Sequence, residues 1–324
     1  MTRVAVIIVN FNAGDRLLKC LAALEAQTRP ADAVFVADNA STDGSAKKAQ
    51  AAFPSATFLF NDSNLGFAEA NNRAVAAVDT EWVALLNPDA YPEPGWLEAL
   101  FDAATTTANV GAVGSLQIDA LDPARLDGAG DNLHVFGVPY RGFLHQPLDH
   151  APPSGVVLSP CAAAALYRRD LFLELGGFDG RFFCYCEDVD LGARFHHYGY
   201  ETVQANKAVV HHEGSAITGR QSDFTVYHGH RNRVWLFAKT MPPLLFWLML
   251  PAHLLVNLAF VVKFAPTPIG RSYRRGIIDG LRAMPRLRRE RKGKPSLTSW
   301  GFARLLVWSP FALMARRGKV LPRR

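Results

Sequence analysis

Val34-Phe35-Val36-Ala37-Asp38-Asn39-Ala40-Ser41-Thr42-Asp43-Gly44 decides how this chain reads. Four apolar residues run into an acid, an amide and small polar residues ending in glycine. That pattern is a buried strand followed at once by a turn, with a carboxylate at the strand's carboxyl end. It has two close counterparts. Val4-Ala5-Val6-Ile7-Ile8-Val9 leads into Asn10-Phe11-Asn12, and Trp82-Val83-Ala84-Leu85-Leu86 leads into Asn87-Pro88-Asp89. Between these strands Arg16–Leu24 and Gly66–Val78 carry apolar residues at helical period, a polar helix starts near Asp43, and Thr57–Phe60 supplies another strand. Strands alternating with helices predict an α/β layer around a parallel sheet, whose strand ends open on one crevice.

The pattern continues through a helix from Pro94 to Phe101 and a strand from Val110 to Gly114. Residues 117–157 are rich in Gly, Pro, Asp and His and read as irregular loops and short strands. Gly176-Gly177-Phe178-Asp179 forms a turn before Phe182–Tyr185. Glu187 to His197 then reads as a helix with its acids in the first turn, where the dipole favours them. A strand from Val203 to Val210 leads into His211-His212, and a helix covers Arg231 to Lys239.

At 324 residues and 49% hydrophobic, the chain has room and apolar content for one large α/β domain with an appendage. The expected division is 1–240, the α/β part, and 241–324, a helical, hydrophobic and basic part. From Lys263 onward 17 Lys and Arg face only Asp279 and Glu290, whereas residues 1–262 hold 18 basic and 27 acidic side chains. Leu244–Val262 is strongly apolar, broken by Pro251, His253 and Asn257. Beyond it Tyr273, Ile277, Leu281, Met284 and Leu287 share one helical face, and Arg271, Arg275, Arg282 and Arg289 the other. Phe302–Met314, carrying Trp308, is a second amphipathic candidate. Apolar residues interleaved with basic ones fit an anionic membrane surface better than nucleic acid, so a peripheral or monotopic, membrane-associating region is expected and no nucleic-acid partner. Cys20, Cys161, Cys184 and Cys186 show no zinc or disulfide spacing, and the chain enters its first strand without a cleavable signal pattern.

The polar clusters suit particular chemistry. A carboxylate projected by the Asn-Pro turn, here Asp89, can hold Mg²⁺ or Mn²⁺ together with diphosphate oxygens. Crowded acids in Glu187-Asp188-Val189-Asp190 raise one another's proton affinity, which suits a general base. A neutral imidazole of His211 or His212 can complete a metal shell. Each cluster alone also fits a plain structural role: an Asx-turn, a proline turn, dipole-compensating acids or a packed histidine. The turn after the first strand, Asn10-Phe11-Asn12-Ala13-Gly14, lacks the glycine spacing of a dinucleotide-binding Rossmann fold.

Taken in order, the clusters resemble glycosyltransferase family 2, with its GT-A fold, and within it the bacterial rhamnosyltransferase-like branch. The resemblance covers residues 3–240 and rests on Val6–Asn12, Asp38–Ser45, Asn64-Leu65-Gly66-Phe67-Ala68, Asn87-Pro88-Asp89, Gly176–Asp179, Glu187–Leu191, His211 and Arg231-Asn232. It implies an inverting, metal-dependent transfer of a sugar, best matched by L-rhamnose from dTDP-rhamnose, to a lipid-linked or polysaccharide acceptor at the cytoplasmic face of the bacterial inner membrane. A UDP-hexose donor, or a degenerate nucleotide-sugar-binding module, is the alternative. Residue by residue, Val9, Asn10, Phe11, Asn12, Asp38, Asn64 and Gly66 would bind the nucleotide. Asp89 and His211 would hold Mg²⁺ or Mn²⁺, with His212 the adjacent option. Asp188 would be the general base with Glu187 beside it in acceptor binding, and Asn87, Asp190 and Arg231 would complete the substrate contacts. Asn87 stands where the family's metal motif has its first acid. The loops of 117–157 would take part in acceptor recognition.

Overall fold

The computed structural model describes residues 3–106, 108–214, 222–290 and 297–323. Its first half runs β1 (Val4–Asn10), α1 (Arg16–Glu25), β2 (Ala33–Asp38), α2 (Ser45–Ala52), β3 (Thr57–Phe60), α3 (Gly66–Ala77), β4 (Trp82–Leu86), β5 (Ala90–Pro92), α4 (Trp96–Thr105) and β6 (Val110–Asp119). All seven residues of β1 are buried, as expected for a central parallel strand covered on both faces. Leu17, Cys20, Leu21 and Leu24 of α1 lie on one stripe and cover one side of the sheet, while Ala70, Ala74 and Val75 of α3 cover the other.

Short elements follow: β7 (Leu126–Gly128), β8 (Asp131–His134), β9 (Val138–Arg141), β10 (Gly155–Val157), β11 (Ala164–Arg168) and α5 (Arg169–Glu174). Then come α6 (Glu187–His197), β12 (Glu201–His212) and α7 (Asp223–Thr240). The main sheet is ordered β10-β12-β6-β11-β4-β1-β2-β3, with β5 on β12 and β7 on β6; β8 and β9 form a separate ribbon. Strands β4, β1, β2 and β3 are parallel, and β11 enters antiparallel between β4 and β6. Sequence reading did not mark β5, β11 or α5. β5 is too short to show a period of two, β11 is buried on both faces and so shows no alternation, and α5 is a six-residue helix.

The C-terminal quarter is α8 (Pro243–Phe264), α9 (Gly270–Arg289), α10 (Ser299–Ala303) and α11 (Pro310–Met314). Its packing corrects two expectations. The apolar face of α9 is not turned to a membrane: Tyr273, Ile277, Met284 and Leu287 are buried in one core with Val226, Val234, Phe237 and Met241. Gly276 and Gly280 let α9 approach the backbone of α7 closely, and the hydrophobic pattern serves that contact. Nor does Phe302–Met314 form one helix; Phe302 is buried and α10 and α11 are short. Exposed apolar residues lie on α8, where Trp247 is 68% and Leu255 66% exposed, and also at Trp300, Phe311 and Met314. The polar interruptions of α8 face inward. Asn257 accepts from Arg233 at 2.6 Å and His253 Nδ1 lies 2.8 Å from the Phe136 carbonyl. Helix α8 is long and apolar enough to cross a membrane.

Candidate active site

Parallel pairing sets Asn10 beside Asp38 and Ile8 beside Leu86, so the segments after β1, β2 and β4 emerge along one edge. They border a cavity of about 810 Å³, large enough for a nucleotide sugar. Val9, Phe11, Asn39, Asn64, Gly66, Asn87, Asp89, Glu187, Asp188 and His212 are among its lining residues, and this is the crevice the sequence pointed to.

Several expected contacts belong to the scaffold instead. Asn10 Nδ2 donates to Asp38 Oδ1 at 2.7 Å and to the hydroxyls of Ser41 and Ser45, all away from the cavity lining. Asp38 Oδ2 accepts from the Ser41 amide, so the acid closes its own turn and Asn39 is the residue that faces the cavity. Asn12, at φ 51°, accepts from the amides of Thr42 and Asp43 and pins the same loop. Asp190 is buried and accepts from Arg194 and Lys239, turned from the cavity because it lies two residues beyond Asp188 on the helix. Arg231 donates to the carbonyls of Arg181 and Phe182 and stacks on Trp235, again outside the lining.

The histidine beside Asp89 is His212, not His211. β5 pairs antiparallel with β12 so that Ala90 lies opposite His212 and Tyr91 opposite His211. Alternation along the strand then turns His212 inward, 3.3 Å from Asp89 Oδ1, while His211 turns outward to Glu93 at 3.1 Å. On its other nitrogen His212 meets Asp127 Oδ2 at 2.7 Å, and Asp127 is itself paired with Arg141. Burial works against charging this ring, but hydrogen bonds from it to Asp127 and Asp89 outweigh that and raise its pKa to about 9. Burial likewise opposes ionisation of Asp127, and Arg141 with His212 brings it down to about 2. For Asp89 burial is again outweighed, here by the His212 hydrogen bond, and its pKa falls below the usual carboxylate range.

This geometry fits a divalent metal. A buried carboxylate and an imidazole nitrogen lie 3.3 Å apart, where a cation would take the place of the Nε2 proton, and the far ring nitrogen is fixed by an outer carboxylate, the arrangement that orients metal-bound histidines. Neither Asp127 nor Arg141 stood out in the sequence, since both lie in the irregular stretch and reach His212 only through tertiary pairing.

Glu187 and Asp188 open α6, with a carboxylate oxygen of Asp188 accepting from the Ala162 amide at 3.2 Å. Gly192 lets the helix sit against Ser159; a Cβ there would come 2.5 Å from the Ser159 Cβ. Glu187 is buried, its Oε2 makes no hydrogen bond among the described residues, and burial followed by the Asp188 charge pushes its carboxyl well above the ordinary range. The approach to the helix is strained. Phe183, Tyr185 and Cys186 have φ of 67°, 71° and 72°, where non-glycine residues are uncommon. Asn232 Nδ2 holds that turn by donating to the carbonyls of Phe182, Cys184 and Tyr185 at 3.0, 2.7 and 2.9 Å. Gly66, at φ +78°, packs on the same turn; a Cβ there would come 2.6 Å from the Phe183 carbonyl oxygen. All four cysteines are free.

Comparison with known proteins agrees with this architecture. The family described as "Glycosyl transferase family 2" matches residues 5–176. An N-acetylglucosaminyl-diphospho-decaprenol L-rhamnosyltransferase of Mycobacterium tuberculosis is 32% identical over 245 residues, covering 66% of this chain and 77% of the relative. Among solved structures, GalNAc-T7 with UDP, GalNAc and Mn²⁺ superposes with a TM-score of 0.61 at 12% identity, over 75% of this chain and 49% of that one. A Pyrobaculum calidifontis mannosyltransferase in complex with GDP-Man and Mn²⁺ gives 0.52 at 19% identity, over 90% and 88%. These structures share the GT-A fold with the chain. A sheet-edge cavity lined by Asp89, His212, Glu187 and Asp188 thus sits in a sequence matched over most of its catalytic half, and the chain belongs to glycosyltransferase family 2 as a rhamnosyltransferase-like enzyme.

Proposed function

We propose that this glycosyltransferase moves L-rhamnose from dTDP-L-rhamnose to a hydroxyl of a lipid-linked sugar diphosphate, with inversion at the anomeric carbon. The observation that carries the reading is one cavity lined by both an Asp89–His212 pair and the Glu187-Asp188 helix start. The choice of donor and acceptor leans on the mycobacterial relative, whose name specifies rhamnosyl transfer to a diphospho-decaprenol acceptor.

Asp89 and His212 would hold Mg²⁺ or Mn²⁺, which when bound supplies positive charge beside the leaving diphosphate. Val9, Phe11, Asn39 and the Asn64–Gly66 turn wall the nucleotide end. Asp188 accepts the proton of the acceptor hydroxyl as its oxygen attacks the anomeric carbon from the face opposite the diphosphate. The anomeric carbon–oxygen bond breaks, and its electron pair leaves with the nucleotide. One displacement inverts the centre, and no second nucleophilic carboxylate is required. Phe183, Tyr185 and Phe224 line the cavity wall and offer apolar faces to the acceptor.

Such an acceptor would be met at a membrane surface, which we propose to be the cytoplasmic face. Leu244, Trp247, Leu248, Leu255 and Leu258 on α8 are exposed together, and Arg275 and Arg282 on α9 are more than three-quarters exposed. An exposed apolar face on one helix and exposed arginines on the next suit an anionic leaflet, each cation contributing about 1 kcal/mol there.

The test is transfer itself. Purified enzyme, Mn²⁺ or Mg²⁺, dTDP-L-rhamnose and a polyprenyl-diphospho-N-acetylglucosamine acceptor should yield a product heavier by one rhamnosyl residue, with inverted anomeric configuration by NMR. Transfer only from a UDP-hexose would replace the donor, and no transfer from any nucleotide sugar would make the protein a binding module.

A further inference from the structure

Asp131 begins β8 on the cavity wall, in the stretch whose sequence showed least order. Its amide donates to the Ser159 carbonyl at 2.8 Å, which ties the β8–β9 ribbon to the segment flanking α6. There a carboxylate oxygen of Asp131, a carboxylate oxygen of Asp188 and Cys161 Sγ lie within 4.8 Å of one another. Asp131 is buried and Asp188 only half-buried. Two carboxylates this close, in a shielded site, cannot both ionise cheaply. The cation that acts on Asp131 does not relieve this fully. Arg141 stands opposite Asp131 in the β8–β9 register, but its guanidinium is bound to Asp127.

We propose that Asp131 is a positioning residue for the transfer: a carboxylic acid that donates a hydrogen bond to the Asp188 carboxylate and fixes it as the proton acceptor. The inference rests on the reading of Asp188 as the general base. Burial and then the Asp188 charge push the Asp131 carboxyl well above the ordinary carboxylate range. Of the other groups that act on it, Arg141 lowers it and Asp127 raises it. Glu187 and Cys161 also bear on this group, as do the buried Tyr167 and the half-buried Cys186. Proton flow is simple. Asp188 takes the acceptor proton while Asp131 keeps its own, so the pair passes from one proton to two and releases one to water after the product leaves.

The experiment compares full-length wild type, Asp131→Ala, Asp131→Asn and Asp188→Ala for kcat, donor KM, thermal midpoint and pH profile, using the nucleotide sugar that supports transfer. Asp131→Ala should lower kcat about 100-fold with donor KM unchanged. Asp131→Asn keeps a donor and should restore kcat to within about tenfold of wild type. Wild type should lose activity at alkaline pH as the pair gives up its last proton, and Asp131→Asn should lack that limb. If Asp131→Ala is unfolded, this alkaline limb decides alone. Wild-type kcat in Asp131→Ala, an Asp131→Asn enzyme as slow as Asp131→Ala, or an unchanged alkaline limb in Asp131→Asn overturns the inference. A wild-type rate in Asp188→Ala overturns instead the reading beneath it.

Discussion

His212 Nε2 lies 3.3 Å from Asp89 Oδ1 because the three-residue strand β5 pairs with the end of β12, placing Ala90 opposite His212. The contact joins the turn after β4 to the last residue of β12, across more than 120 residues of sequence. Its consequence is a clean separation of two neighbouring histidines. His212→Ala should abolish the stabilisation that Mn²⁺ and nucleotide sugar give together, whereas His211→Ala should leave it within about twofold, since His211 turns to Glu93 and neither residue lines the cavity. Thermal-shift titration of both variants checks this.

Asp127 acts on the same ring from behind. Asp127→Asn removes the carboxylate that fixes His212 and pairs with Arg141, although Asp127 does not itself line the cavity. Outer partners of this kind typically change metal affinity by about 10–100-fold. Mn²⁺ affinity should therefore fall in that range while the nucleotide alone binds as before, measurable by calorimetry.

Asn232 bears on catalysis through backbone. Its amide nitrogen satisfies three carbonyls of the strained turn ahead of Glu187 and Asp188. Asn232→Ala leaves those carbonyls to water or to nothing and should cost about 1–3 kcal/mol in stability. Asn232→Asp cannot donate and should behave no better. In both, kcat should fall by more than donor KM rises, because the turn leads directly into Glu187 and Asp188 and meets the nucleotide end only where it packs on Gly66.

How much of this was legible in the chain follows from what each feature depends on. Strands β1, β2 and β4, with their terminal polar turns, were readable because buried parallel strands are apolar throughout and end in turn residues. Asp89, Glu187 and Asp188 stood out for the same reason, as acids clustered at element ends. The choice between His211 and His212 was not readable. It depends on the register of a three-residue strand, and a shift of one residue exchanges the two faces. Asp127, Asp131 and Arg141 carry no local signal, since a ribbon and a loop assemble them. The amphipathic pattern of α9 was read correctly as a pattern, but its apolar face is covered by α7, and only three-dimensional packing distinguishes a protein neighbour from a lipid one.

His196 should make the fold acid-sensitive. Burial pushes its imidazole down to about 4 from an ordinary 6.5, and its Nε2 sits 2.8 Å from the Val157 carbonyl. Between those values the unfolded chain binds a proton that the folded chain refuses, so stability rises with pH across that window and is lost as pH falls through it. The size is about 3 kcal/mol over the whole window. Denaturant midpoints at pH 4.5 and 7 should converge in His196→Gln relative to wild type.

Membrane association should depend on α8. Replacing exposed Trp247, Leu248 and Leu255 by Glu removes apolar burial of about 1.5–3 kcal/mol per side chain if the helix sits in lipid. Sedimentation with vesicles containing anionic lipid should fall more than tenfold, with Mn²⁺-dependent donor binding preserved. Equal sedimentation of variant and wild type would place lipid contact elsewhere.

The most direct test of the account is thermal stabilisation and turnover with dTDP-L-rhamnose, with and without Mn²⁺, in wild type, Asp89→Ala and Asp188→Ala. The account predicts metal-dependent stabilisation in wild type, its loss in Asp89→Ala, and its retention in an Asp188→Ala enzyme that no longer turns over. Metal-independent stabilisation that survives in Asp89→Ala, or turnover by Asp188→Ala at the wild-type rate, would contradict it.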